Sequence, residues 1–142
     1  MTRQFVLPAV LLALIFAANS SALACSCGPP FPPKEALESS EAVFSGKVTK
    51  IKIDKKKWSK AVTIEVQTVW KGSEKKTLVV GTAIYGDTCG YGFKMGESYL
   101  LYCYGKKSLS TNLCTRTKQL DEAGADIKEL GEGKKVEAGT DN

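Results

Sequence analysis

The sequence predicts a mainly β domain, a small closed barrel of five strands followed by one helix, with its N-terminus held by disulfides. Three observations predict it. Short runs of β-branched and apolar residues are separated by charged or glycine-rich turns. One of these runs changes phase midway, as a bulged and coiled strand does. After the last run, Leu120, Ala123, Ile127 and Leu130 recur at helical spacing.

Taken in order, the first element is a leader. Phe5 to Ala18 is an uncharged apolar run interrupted by Pro8, preceded by Arg3 and followed by Ala22-Leu23-Ala24. That small-x-small ending is the form signal peptidase reads, so residues 1–24 are expected to be removed and the protein to be secreted or periplasmic. The run is short for a membrane span. Removing Arg3 lowers the net charge from +5 to +4, a mild basicity that bears on solubility more than on partners. What remains is one domain's worth of chain, expected at 25–131, with a disordered polar tail at 132–142.

Cys25 to Pro33 reads CSCGPPFPP, and four prolines in nine residues favour a stiff extended segment. Lys34 to Ser40 offers a short helical turn with Ala36 and Leu37 as its apolar contacts. Ala42 to Ile53 is the first strand: Phe44 and Val48 share one parity, Ile51 and Ile53 the other, which places a bulge near Thr49-Lys50. Ala61 to Trp70 alternates cleanly and forms a hairpin with it across Asp54 to Lys60. Lys76 to Ile84 is a third strand, and a glycine-rich loop, Gly86 to Gly96, follows. Ser98 to Tyr104 is apolar on both faces and is expected to be the most buried strand. Leu109 to Thr117 supplies the fifth. The helix from Leu120 to Leu130 ends at Gly131, a residue suited to a left-handed cap. Five strands, one coiled, and then a helix suit a barrel of OB type better than a sandwich.

The chain contains no histidine. This removes Ser-His and Cys-His nucleophiles, histidine metal sites and imidazole acid–base chemistry together. The glycine-rich loop lacks the G-K-[ST] ending of a phosphate loop. The chain is therefore read as a non-enzyme without a cofactor.

Chemistry concentrates in the five cysteines, which pair in an exported chain. Cys25 and Cys27 flank one residue of an extended segment, so their side chains point the same way. Cys103 sits in the most apolar strand, where a thiol behaves as a small hydrophobe. The N-terminal two are then expected to pair with Cys89 and Cys114, in an order that spacing leaves open.

The start Cys25-Ser26-Cys27-Gly28-Pro29, the AVFSGKV strand, the loop Asp87-Thr88-Cys89-Gly90-Tyr91 and the late Cys114 together resemble the tissue inhibitors of metalloproteinases, in their N-terminal inhibitory domain. The resemblance covers Cys25 to about Leu130. It implies a netrin-like OB barrel and the pairing Cys25–Cys89 with Cys27–Cys114. It implies a zinc metalloprotease as partner, with the α-amine and carbonyl oxygen of Cys25 chelating that protease's zinc in trans. It further implies Ser26 in the protease's specificity pocket, and Cys27, Gly28, Pro29, Asp87 and Thr88 as surrounding contacts. The family's animal members carry a third disulfide here and a second domain; neither is evident in this sequence, and Cys103 is an addition.

Three other readings compete. Ala22-Leu23-Ala24-Cys25 also resembles a lipobox, which would make the protein a lipid-anchored, outer-membrane module with Cys25 acylated; without lipid no membrane contact is expected. An OB-type binding module without inhibitory activity would use Lys55, Lys56, Lys57, Trp58 and Lys60, with an anionic polysaccharide a better exported partner than nucleic acid. A redox pair at Cys25 and Cys27 lacks the C-x-x-C spacing and the following helix that lower a thiol pKa.

Overall fold

The first long strand is buried on both faces over its opening residues, and the rest of the domain is arranged around it. In the computed structural model, which describes residues 25–84 and 88–137, β1 (Ala42–Asp54) lies between β2 (Ser59–Lys71) and β4 (Ser98–Cys103). The leader expected at 1–24 lies outside the described residues, as do Asp87 and the last five residues. β3 (Thr77–Ala83), β5 (Lys118–Gln119) and β6 (Lys134–Lys135) complete a six-stranded antiparallel sheet, ordered β3-β2-β1-β4-β5 with β6 added to β2. The protein is thus mainly β.

Two apolar layers flank this sheet. Phe44, Val48, Val62, Ile64, Val80, Tyr99 and Leu101 fill the larger one. Val43, Leu100 and Tyr102, alternate residues of the same strands, face the other way. There they meet Ala36 of α1 (Pro33–Ser39), Ala123, and the packed Ile127 and Leu130 of α2 (Gly124–Leu130). β4 is buried from Tyr99 to Cys103, as its unbroken apolar run predicts.

The phase change in β1 is real. The register shifts between Val48 and Lys50, so that Val48 opposes Ile64 and Ile51 opposes Val62 on one core face. Two further shifts occur at Val43/Phe44 and Ser45/Gly46. Gly46 is needed at the last of these: a Cβ there would strike the Glu65 carbonyl and the Ile64 side chain.

Four expectations are corrected. Pro33 opens α1 instead of closing the extended segment, because a proline at the first helical position loses no hydrogen bond. The single helix expected at 120–130 divides into a 3₁₀ turn, Leu120–Glu122, and α2, with the left-handed Gly131 (φ 76°) capping the end. The fifth strand is Lys118–Gln119, not Leu109–Thr117. Within the latter stretch Thr111, Thr115 and Thr117 turn their hydroxyls inward and Asn112 bonds the local backbone, which competes with a ladder. Ser110 alone bridges, to Gly81 on one side and Tyr104 on the other. Finally, part of the expected tail is ordered. Lys134 and Lys135 pair with Val69 and Thr68, Val136 donates its N–H to the Gln67 carbonyl, and its side chain packs on the core.

Candidate functional site

The residues expected to act are gathered at one end of the sheet by two disulfides. Cys25 is bonded to Cys89 and Cys27 to Cys114, with Cα–Cα distances of 5.3 and 5.1 Å. The sulfurs of Cys25, Cys27 and Cys114 lie within 4.8 Å of one another, so the two side chains do point the same way. Such proximity would let free thiolates share a metal, but here every one of these sulfurs is already bonded to another sulfur. Cys103 is the free cysteine, buried in β4, where burial pushes its thiol up to about 12.

The segment from Cys25 to Pro32 has no regular secondary structure, and Ser26, Cys27, Gly28, Pro29 and Pro30 are exposed. It is therefore a ridge, fastened beneath and open above. Phe31 continues it with a ring that is 64% exposed.

Each anchor of the ridge is itself braced. Cys89 sits at φ 55°, a left-handed conformation that costs a non-glycine residue about 1 kcal/mol. Its carbonyl accepts the Leu113 N–H at 2.9 Å, which ties the two anchor loops together. Gly90 follows because nothing larger fits: a Cβ there would strike the Ala83 carbonyl at the end of β3. The Thr88 hydroxyl donates to the Ile84 carbonyl at 2.7 Å, and the Tyr91 N–H donates to Thr82 Oγ1 at 2.8 Å. The loop is then plugged into the core by clustered rings, with Phe93 tilted against Tyr91 at 4.8 Å and edge-on to Tyr99 at 4.9 Å. At the other anchor, Asn112 Oδ1 accepts the N–H groups of Cys114 and Thr115, closing a tight turn.

Beneath the ridge lies a polar brace that the sequence reading did not single out. Asp126 is 2% exposed. Its carboxylate accepts from Arg116 Nε at 2.6 Å, Arg116 Nη2 at 3.0 Å and Lys118 Nζ at 3.0 Å. The Tyr102 hydroxyl adds a fourth contact at 3.3 Å. Burial opposes ionisation of Asp126, but the hydrogen bonds from Arg116 and Lys118 outweigh it and hold the carboxyl below its usual range. Burial, then the neighbouring Asp126, raises the Tyr102 phenol. The remaining arm of Arg116, Nη1, donates to the Phe31 carbonyl at 2.8 Å, so the same guanidinium holds the ridge and the C-terminal helix. One signal in the sequence pointed here: Asp126 is three residues after Ala123 and next to Ile127, on the stripe that faces the core.

Of the residues expected to contact a protease, Cys25, Ser26, Cys27, Gly28 and Pro29 lie on the ridge, and Thr88 adjoins its Cys89 anchor. Asp87 lies outside the described residues. No family model matches this chain, and no curated protein matches it.

Proposed function

We propose that this protein is a secreted inhibitor of zinc metalloendopeptidases, acting as the tissue inhibitors of metalloproteinases do. The observation that carries the reading is the pairing Cys25–Cys89 and Cys27–Cys114, the arrangement the resemblance implies, beneath an exposed Cys25-Ser26-Cys27 ridge.

The mechanism follows from the geometry of such a ridge. A catalytic zinc keeps one coordination position for water. Removal of the leader after Ala24 would leave Cys25 with a free α-amine. That amine and the Cys25 carbonyl oxygen can form a five-membered ring with the protease's zinc and displace the water. An α-amine has a pKa of about 8, so the metal displaces its proton readily near neutrality. The flanking disulfides keep the ridge in one shape, which reduces the entropy lost on docking. Ser26 then enters the pocket beyond the scissile position with a side chain too small to clash. Gly28, Pro29 and Thr88 form the rim.

The Cys25–Cys89 bond also supports an unlipidated N-terminus, because a sulfur joined to Cys89 is not free to form the thioether of a lipid anchor. We infer in addition that the sheet closes into an OB-type barrel. Ser110 supports this: Gly81 N–H donates to Leu109, Thr111 N–H donates to Gly81, and Ser110 and Tyr104 exchange two bonds, which links β3 to β4.

The test is inhibition of a panel of zinc endopeptidases by the natural secreted product, before and after its α-amine is acetylated. Inhibition that is lost on acetylation is expected; unchanged potency would overturn the chelation mechanism.

A further inference from the structure

Adjoining the anchors of the ridge, the β1–β2 hairpin, β3 and the turn after Tyr104 enclose an open concavity of about 1380 Å³. Lys52, Lys55, Lys56, Lys57, Lys60 and Lys107 line it, against a single acid, Asp54. Asp54 is already engaged, since its Oδ1 accepts the N–H groups of Lys56 and Lys57 at 3.0 and 3.1 Å to build the hairpin turn. Among the described residues, none of the six lysines takes part in an ion pair. The groove is thus a concentration of uncompensated positive charge.

It also presents aromatic surface. Trp58 stands at the hairpin tip at φ 48°, a conformation that disfavours an indole-bearing residue, and it is 67% exposed. The Trp58 carbonyl accepts the Ile84 N–H at 3.0 Å, so the tip is held against the end of β3. Tyr104, half exposed, lines the same concavity. An exposed indole and an exposed phenol offer flat apolar faces to ring C–H groups, while the lysines offer ammonium groups to anions.

We propose that this groove binds an anionic polysaccharide, a chain of pyranose rings carrying sulfate or carboxylate groups. The rings lie against Trp58 and Tyr104, and the lysines along the walls pair with the anionic substituents. A bilayer is a poor occupant because a flat surface does not enter a concavity between a hairpin and a turn. The choice of a sugar polymer over a nucleic acid rests on the proposed export of the protein; single-stranded DNA is therefore carried as a competing outcome.

The test uses the oxidised protein and four probes: heparin as the sulfated polymer, polygalacturonate as the carboxylated one, neutral dextran, and single-stranded DNA. Binding to heparin or polygalacturonate that weakens with salt, with no binding to dextran, is expected. Lys55→Gln/Lys57→Gln/Lys60→Gln should flatten the salt dependence by about two to three charges. Trp58→Ala, which leaves the charge untouched, should weaken binding about fivefold. Tighter binding to DNA than to either polysaccharide would overturn the proposal. So would equal binding by Trp58→Ala, which would reduce the groove to a diffuse cationic patch. No protease enters the measurement, so its outcome is separate from that of the inhibition assay.

Discussion

Arg116 grips both carboxylate oxygens of Asp126 while its third nitrogen holds the Phe31 carbonyl, so one side chain fastens the exposed N-terminal ridge to the C-terminal helix. The pair is partly shielded, with Arg116 18% and Asp126 2% accessible. Removing one partner of such a pair leaves a desolvated charge that Lys118 only partly neutralises. Arg116→Met is therefore expected to destabilise the fold by about 3 kcal/mol, measured by urea denaturation. An unchanged midpoint would show that the pair contributes nothing.

The same carboxylate sets a pH response. Asp126 titrates below the ordinary value of 3.8 in the folded state, so its carboxyl group binds fewer protons there than in the unfolded chain. Its stabilisation is fully present above that ordinary value and is lost as pH falls through the lower, folded one. The difference in denaturation midpoint between the wild type and Asp126→Asn should be constant from about pH 7 to pH 5 and shrink below about pH 4. A difference that grew on acidification would contradict the assignment.

Cys103 is 1% exposed and its thiol is raised to about 12 by burial. Thiolate is the reactive form, so at about pH 8 the folded protein should not react with an aromatic disulfide reagent. After unfolding without reductant, a single thiol per chain should titrate, because the other four cysteines are bonded. Three reactive thiols would open one of the two disulfides to question.

How much of this was legible beforehand depends on what carried each feature. β1 and β2 follow from side-chain parity and the bulge near Thr49 from its interruption, because core burial on one face imposes alternation, whereas β4 follows from an unbroken apolar run that is buried on both faces. The Trp70 indole, near the end of β2, packs in the second apolar layer and donates to the Gly131 carbonyl at 2.8 Å. The cysteine set was legible from spacing, and its order came from the resemblance. β5 and β6 were not legible. Each is a two-residue pairing fixed by long-range contacts, and neither Lys118-Gln119 nor Lys134-Lys135 carries an apolar signal. The brace at Arg116 and Asp126 was missed for a related reason: charged residues normally face solvent, and only the fold brings these two together from either side of β5.

Gly90 offers a test of the anchor loop itself. A methyl group at that position collides with backbone, the carbonyl of Ala83, and not with a movable side chain. Gly90→Ala is expected to cost about 2 kcal/mol and to lower the thermal midpoint accordingly. If the variant is as stable as the wild type, the loop does not cross β3 as closely as described.

The Cys27–Cys114 bond spans 87 residues of sequence, and it encloses β1 to β4 within one covalent ring. Mechanical load applied between the ridge and the end of β6 would run across that bond, so it could not draw out the chain of those four strands. Under tension only the chain after Cys114 can lengthen, starting with the two-residue pairing of β6. Reduction would convert a nearly inextensible tether into one that pays out the length of the sheet.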